Sequence, residues 1–286
     1  MSADPIPIDT SMRARSLIPA SVSCVKGCVV HGPWPAAFAN HVRVLINPAN
    51  ESLSGPQRAS FPRGGPLPPP PSAFSWFRDE SAETGWDLLY PQQSVDGVVH
   101  LQGGEELKAA LIAAAPSIGV RTNGDLLRCQ IGDAVLTAHA DGRTQRADSA
   151  MPFDAIVHTV APFYPKGAER NDPDALAKWR SSLLRCYESS FAAAIGFAQD
   201  AARRDNQSVA RLAIATPVLG SGARGAPLEC ASRVLAQAAV QHFRATEPAS
   251  DGGVPVSLRV VTHPNASGRT EVSIVEAALE EAASGK

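Results

Sequence analysis

The chain has 286 residues, of which 44% are hydrophobic and 19% are charged, so it is long enough and apolar enough to bury a sizeable core. Its formal net charge of -2 gives no overall attraction to nucleic acid, and no apolar run approaches the roughly 20 residues of a membrane span. These properties predict a globular protein that does not enter a membrane and does not bind nucleic acid in general.

The N-terminus and the cysteines indicate where the protein is located. Residues 1–20 contain several prolines and serines and predict a flexible tail. They lack a basic stretch followed by an apolar one, so we expect no secretory signal. The five cysteines are odd in number and scattered, which favours free thiols in a reducing compartment. The expected location is intracellular, in the cytoplasm or the nucleus.

The first half of the chain contains short valine-rich segments and one long proline-rich segment. Residues 21–30 predict a strand or a hairpin, and residues 42–46 predict a strand that ends at an Asn-Pro step. An insertion is expected at about residues 56–93, because proline from Gly55 to Phe74 is too dense for a helix or an inner strand. We interpret this segment as an insertion loop with polyproline character. The insertion is either a disordered surface loop or a segment that a protein partner binds.

The second half of the chain alternates predicted helices and strands. Apolar periodicity predicts helices at residues 96–115, 173–204, 227–243 and 271–283, and strands at 155–160, 209–219 and 254–263. Asp172 followed by Pro173 is typical of a helix start. This alternation predicts a layered α/β fold with a largely parallel sheet.

A glycine-rich turn, G-S-G-A-R-G at residues 220–225, lies between a predicted strand and a predicted helix. Glycine lets a phosphate approach the backbone, and a helix start offers unpaired N–H groups, so the turn favours an anionic ligand. Its spacing also fits a dinucleotide-binding turn. That site needs an acidic residue at the end of the next strand, where Thr262 and His263 stand, and the turn lies late in the chain. These facts argue against NAD and leave another phosphate ligand, or a turn without a ligand.

Five sequence pieces occur in a fixed order: VLINPANESLSG from residue 44, SVDGVVH from 94, CQIGDAVLT from 129, IVHTVAPFY from 156 and ATPVLGSGARGAP from 215. Together they resemble the macrodomain family, whose members bind ADP-ribose, and are most similar to its MacroD-type branch, which hydrolyses ADP-ribose attached to proteins. The resemblance implies a three-layer α/β/α macrodomain fold with a central mixed sheet of six or seven strands. It implies one domain over residues 21–283, interrupted by the insertion.

The resemblance also implies roles for individual residues. Asn50 would hydrogen-bond the distal ribose, and Asp96 would orient or deprotonate a water near the anomeric carbon, so both are candidate catalytic residues. Without the resemblance, Asn50 is a turn residue, and Asp96 is an N-cap for a helix that begins near Gly97. Asn47 is expected to fix the loop. The expected ligand contacts are Asn47, Val95, Gly97, Gly220, Ser221, Gly222, Ala223, Arg224, Gly225, Phe163 and Tyr164.

Two histidines accompany these motifs. His158 is expected to pack at a strand end, and His100, about one helical turn after Asp96, is expected in the core or behind the site. Neither is assigned direct contact with the ligand.

The chain departs from the family pattern in three places. Arg224 stands where the family has an aromatic residue, Cys28 replaces an adenine-reading aspartate, and Gln92, Gln93 and Ser94 replace a run of glycines. Two functions therefore stay open. One is a hydrolase that removes mono-ADP-ribose from a protein or a related ADP-ribosyl substrate. The other is a non-catalytic reader or scaffold that binds ADP-ribose or a related nucleotide. Neither requires a metal or another cofactor.

Overall fold

The computed structural model describes residues 22–26, 28–30, 38–56, 94–121, 124–138, 151–204, 211–244, 254–262 and 271–284. The N-terminal tail, residues 57–93 of the insertion and His263 lie outside these ranges. The strands are β1 (Val22–Lys26), β2 (Val42–Pro48), β3 (Gly119–Val120), β4 (Leu126–Leu127), β5 (Ala134–Ala138), β6 (Ala155–Thr159), β7 (Leu212–Thr216) and β8 (Val256–Thr262). The α-helices are α1 (Val95–Ala114), α2 (Pro173–Arg204), α3 (Leu228–Arg244) and α4 (Glu271–Ser284).

Six strands form one mixed sheet in the order β1-β8-β7-β2-β6-β5. The first five run parallel to their neighbours, and β5 pairs antiparallel with β6 at the edge. The predicted α/β fold with a largely parallel sheet is therefore confirmed. Because parallel strands end on the same side, the loops that follow β7, β2 and β6 meet at one edge of the sheet.

Helices cover both faces of this sheet. In β2, Val44 and Ile46 pack into a core with α2, α3 and α4, whereas Leu45 packs into a second core with α1. All three side chains are completely buried. Burial on both faces explains why residues 44–46 of β2 are a continuous apolar run. The three-layer α/β/α arrangement implied by the family resemblance is confirmed.

Helix α2 is the longest helix in the described ranges, and it begins where the sequence predicts. The Asp172 carboxylate accepts a hydrogen bond of 2.9 Å from the N–H of Asp174, and Pro173 is the first helical residue. Its apolar stripe, which includes Leu183 and Tyr187, is buried. None of the helices in the described part of the chain is long and apolar enough to cross a membrane.

Helix α1 begins at Val95, one residue before the predicted helix of residues 96–115. Ser94 is its N-cap, and the Ser94 hydroxyl oxygen accepts a hydrogen bond of 3.0 Å from the N–H of Gly97. The expectation that Asp96 caps a helix starting near Gly97 is therefore wrong. Serine and aspartate are equally good N-caps, and the first of the two takes the position. Asp96 instead lies in the first turn, buried against the sheet edge.

Candidate functional site

The candidate site lies where the loops after β2, β6 and β7 meet the first turn of α1. Backbone hydrogen bonds join these loops directly. The N–H of Ala49 donates to the carbonyl of Thr159 at 2.8 Å, and the N–H of Tyr164 donates to the carbonyl of Arg224 at 2.9 Å. Residues that are far apart in sequence are thereby held at one place.

Asp96 lies at the centre of this site and is 5% exposed. The Asn47 Nδ2 donates to Asp96 Oδ1 at 2.7 Å, and His100 Nε2 lies 3.6 Å from the same oxygen. Burial raises the pKa of Asp96 to about 7, although the hydrogen bond from Asn47 and the charge of Arg224 act in the opposite direction. A carboxyl group that titrates near neutral pH can both accept and return a proton.

The Asn47 amide also contacts a second buried side chain, that of His158. The Asn47 Nδ2 lies 3.1 Å from His158 Nδ1, and His158 Nε2 lies 2.9 Å from Thr137 Oγ1. His158 is completely buried in β6. Burial, helped by the nearby His100, lowers the pKa of His158 to about 3. His158 is therefore neutral at physiological pH.

Asn50 uses its side chain within its own loop. The Asn50 Oδ1 accepts hydrogen bonds from the hydroxyl of Ser52 at 2.9 Å and from the N–H of Ser54 at 3.2 Å. The Asn50 Nδ2 donates to the carbonyl of Gly55 at 2.8 Å. In this structure, Asn47 contacts Asp96 and Asn50 braces the loop after β2.

The glycine loop after β7 is closed partly on itself. Gly220 has a φ of 82°, which favours glycine, and the N–H groups of Ser221 and Gly225 donate to carbonyls inside the loop. The N–H groups of Gly222 and Ala223 make no hydrogen bond within the described residues. Of the four backbone donors expected to contact a phosphate, these two are unpaired.

Helix α2 contacts the glycine loop through the side chain of Tyr187. The N–H of Leu219 donates to the hydroxyl oxygen of Tyr187 at 2.8 Å, and both residues are completely buried. The sequence places Tyr187 on the apolar stripe of α2, but nothing in that pattern indicates a polar contact with the loop.

Arg224 forms a cluster with three residues from other loops. Its Nη2 lies 3.2 Å from Glu51 Oε2, and its guanidinium carbon lies 4.2 Å from the centre of the half-exposed Phe163 ring. Arg121 Nη1 lies 3.3 Å from the same Glu51 oxygen. Burial by itself raises the pKa of Glu51, but Arg224, a backbone hydrogen bond and Arg121 together hold it below its usual value. Arg224 is thus fixed between a carboxylate and an aromatic ring.

The remaining residues predicted to contact the ligand are Val95, Gly97 and Tyr164. Val95 is the first residue of α1 and is half-buried, and Gly97 is buried with its N–H bonded to Ser94. The Tyr164 ring packs edge-on against Trp179, with 4.9 Å between the ring centres.

The polar atoms around Asp96 suit an uncharged polar ligand group. Asn47 Oδ1 and His100 Nε2 are buried without a hydrogen-bond partner among the described residues, and such groups usually have one. A sugar hydroxyl both donates and accepts, so it can satisfy atoms of this kind. Nowhere in the described ranges do three or more His, Cys, Asp or Glu side chains gather as metal ligands.

This α/β/α architecture, with polar loops at the carboxyl ends of its central strands, defines a class of domains that bind ligands at the sheet edge. The model of the Macro domain family matches residues 87–235, more than half of the 286 residues. The chain therefore belongs to the macrodomain family.

Solved structures of the Oceanobacillus iheyensis macrodomain have a similar fold. One mutant of that protein aligns with a TM-score of 0.51 and 18% identity, over 93% of this chain and 90% of its own. Another mutant, with ADP-ribose, aligns with a TM-score of 0.50 and 19% identity over 91% of both chains. The same macrodomain with ADP aligns with a TM-score of 0.50 and 19% identity over 93% of both chains. No curated protein matches the sequence.

Proposed function

We propose that the protein binds ADP-ribose and hydrolyses mono-ADP-ribose from a modified protein or a related ADP-ribosyl substrate, as MacroD-type enzymes do. The observation that carries this proposal is the buried carboxyl group of Asp96, held by Asn47 at the sheet edge and titrating near neutral pH. The similar Oceanobacillus iheyensis macrodomain has been solved with ADP-ribose and with ADP, which supports the choice of ligand.

The glycine loop offers a place for the diphosphate of the ligand. The unpaired N–H groups of Gly222 and Ala223 and the beginning of α3 present positive partial charge. The guanidinium of Arg224, which shares the Glu51 carboxylate with Arg121, adds positive charge to the same loop. With the diphosphate there, the distal ribose would extend towards Asp96.

The proposed reaction needs only water and the side chains of the site. Asp96 accepts a proton from a water molecule, the water oxygen forms a bond to the anomeric carbon, and the bond to the leaving group breaks with its electron pair. The proton is returned to the leaving group or to solvent. A carboxylate beside the anomeric carbon also stabilises the positive charge that develops on the sugar.

The second candidate function is a reader that binds ADP-ribose without turnover. It is favoured by Asn50, whose amide makes three hydrogen bonds inside its own loop instead of standing free for the ribose. In either function the partner would be an ADP-ribosylated protein in the cytoplasm or the nucleus. The proline-rich insertion, which lies outside the described residues, would offer that protein an additional contact.

Release of labelled ADP-ribose from a mono-ADP-ribosylated protein tests the proposal. We expect the full chain to release label, and Asp96→Ala to slow release by at least about 100-fold, the usual contribution of a general base. Asp200→Ala is the matched control, because Arg203, on the exposed face of α2, is the one partner of the Asp200 carboxylate among the described residues. Binding without release would favour the reader. Release that is unchanged in Asp96→Ala would contradict the catalytic assignment.

A further inference from the structure

A buried chain of hydrogen bonds connects the edge strand β5 to Asp96. It runs from the carbonyl of Ile156 to Thr137 Oγ1 (3.4 Å), then to His158 Nε2 (2.9 Å). From His158 Nδ1 it continues to Asn47 Nδ2 (3.1 Å), and from there to Asp96 Oδ1 (2.7 Å). All four side chains are 5% exposed or less.

The chemistry of these groups fixes the direction of every bond. The Asn47 Nδ2 carries two hydrogens and no free lone pair, so both of its neighbours must accept. His158 Nδ1 must therefore be unprotonated, and the proton of the neutral ring must be on Nε2. The Nε2–H then donates to the Thr137 oxygen, and the Thr137 hydroxyl donates to the carbonyl of Ile156.

We propose that His158 is a positioning residue for Asp96, and that Thr137 selects the His158 tautomer that this role requires. Nδ1 of His158 holds the Asn47 amide so that its NH₂ group, and not its oxygen, faces the carboxyl group of Asp96. This inference rests on the proposed function, because it gives Asp96 the chemical role. It adds two residues that do not contact the ligand.

The opposite tautomer would reverse the Asn47 amide. A proton on His158 Nδ1 would face the NH₂ of Asn47, donor against donor, and rotation of the amide would relieve the conflict. Asn47 Oδ1 would then face Asp96 Oδ1, acceptor against acceptor. Asp96 would lose the hydrogen bond that favours its ionised form, so its pKa would rise further above its usual value.

Other charged and titratable groups also surround Asp96. His100 Nε2 lies 3.6 Å from Asp96 Oδ1, and His158 on β6 is connected to Asp96 through Asn47. Arg224 in the loop after β7 lowers the pKa of Asp96 by its charge, and Glu51 in the loop after β2 is paired with Arg224. Substitution of Thr137 leaves all four in place. A change in the titration of Asp96 in such a variant therefore reports on the hydrogen-bonded chain alone.

Three substitutions separate positioning from simple packing. Thr137→Val removes the hydroxyl and keeps the shape of the side chain. His158→Gln retains a donor near the position of Nε2 but no acceptor near Nδ1. His158→Asn retains an acceptor near Nδ1 and is the conservative rescue. Ile214→Val, in the core of β7, is the control for a loss of packing unrelated to the chain.

The first measurement is the titration of the Asp96 carboxyl carbon by ¹³C NMR in the full chain. We expect the titration midpoint to rise by about one pH unit in Thr137→Val and His158→Gln, the size of one lost hydrogen bond to a charged group. It should stay at the wild-type value in His158→Asn and Ile214→Val. The ¹⁵N spectrum of wild-type His158 should show the proton on Nε2.

The second measurement is the pH dependence of ADP-ribose release. The rising limb of kcat should move to higher pH in Thr137→Val, so that kcat at pH 7 falls about fivefold while KM is unchanged. If the wild-type protein releases nothing, the proposed function fails, and the NMR titration still decides the positioning role. An identical Asp96 midpoint in Thr137→Val and wild type would overturn the proposal, even if His158→Gln does not fold.

Discussion

Asp96 and His158 are two buried ionisable residues, joined through Asn47, whose pKa values move in opposite directions. Burial raises the pKa of Asp96 to about 7 and lowers that of His158 to about 3. Both shifts favour the neutral form of the side chain. Near neutral pH, the only charge on this pair is therefore the one that Asp96 gains when it loses its proton.

The pKa of Asp96 makes the stability of the protein depend on pH. A carboxyl group with a raised folded pKa binds its proton more tightly in the folded chain, so stability falls as pH rises from about 4 to about 7. Asp96→Asn removes this loss. We expect Asp96→Asn to be more stable than wild type by about 4 kcal/mol at pH 8, and by about 1 to 2 kcal/mol at pH 5.

Urea unfolding of both proteins at pH 5 and pH 8 measures this difference. The protonation of His158 changes the stability of both proteins with pH, so its effect cancels from the stability difference between them. A stability difference that is the same at both pH values would contradict the raised pKa of Asp96.

The ion pair between Glu51 and Arg224 should contribute to stability, because both side chains are mostly buried. We expect the double mutant Glu51→Gln/Arg224→Gln to lose less stability than the sum of the single mutants, with a coupling of about 1 to 2 kcal/mol by urea unfolding at pH 7. The low pKa of Glu51 means that this contribution is present above its usual pKa and is lost on acidification below it. Strict additivity would show that the pair is not coupled.

The exposed pair between Arg233 and Glu281 is the matched control for that cycle. Water screens exposed pairs, so its coupling should be close to zero.

At the scale of residues, the sequence predicted only part of the site. Asn47 and Asp96 lie in recognisable motifs, and the structure brings them together at 2.7 Å. Arg121 lies in none of the five sequence pieces, Glu51 lies in the first of them without a predicted role, and the Glu51 carboxylate meets Arg224 from 173 positions away. A pair contact over such a distance leaves no periodic signal, so only the folded chain shows it.

At the scale of elements, α2 contacts the glycine loop by a hydrogen bond to the hydroxyl group of Tyr187. Tyr187→Phe removes the acceptor of the Leu219 N–H and leaves that donor buried and unpaired. We expect a loss of about 1 to 3 kcal/mol in urea unfolding and weaker binding of ADP-ribose in calorimetry.

Ser232→Ala is the control for this substitution, because the Ser232 hydroxyl is buried on α3 without a partner among the described residues. Its removal should leave stability nearly unchanged. Equal effects of the two substitutions would contradict the support that α2 gives to the loop.

The loop after β2 packs closely against α1. Gly55 has a φ of 73°, and a Cβ atom there would lie 2.7 Å from Cγ of His100. Gly124 has a φ of 85°, with nothing within 4 Å of a Cβ atom. Alanine is strained at both positions because φ is positive there. Only at Gly55 would its Cβ atom also displace a neighbouring side chain, that of His100.

We therefore expect Gly55→Ala to lose about 1 to 2 kcal/mol more stability than Gly124→Ala in urea unfolding. Equal losses would show that His100 moves aside without a penalty.

The elements themselves were largely predictable from the sequence, and the exceptions have physical reasons. The 3–4 periodicity of α2 and the Asp172–Pro173 start gave its position correctly. The hairpin of β3 and β4 was not predicted, because two residues in each strand are too few to show an alternation. The start of α1 was displaced because two good N-cap residues stand close together.

At the scale of the whole molecule, the parallel sheet brings the dispersed motifs together. Pieces that begin at residues 44, 94, 156 and 215 become neighbours because β2, β6 and β7 end at the same edge. The order of the pieces predicted the family, which is confirmed by the match over residues 87–235. The extent of the domain and the role of the insertion stay predictions, since residues 57–93 lie outside the described structure.

Calorimetric titration of the full chain with ADP-ribose, ADP and NAD measures whether the site at the sheet edge binds ADP-ribose through its distal ribose. We expect one ADP-ribose to bind per chain, at least about tenfold more tightly than ADP, because ADP lacks the distal ribose that would reach Asp96 and the buried polar atoms beside it. NAD should bind more weakly than ADP-ribose, because its nicotinamide would have to enter the buried surroundings of Asp96. Absence of ADP-ribose binding by the folded protein, or equal affinity for ADP-ribose and ADP, would contradict a site that recognises the distal ribose.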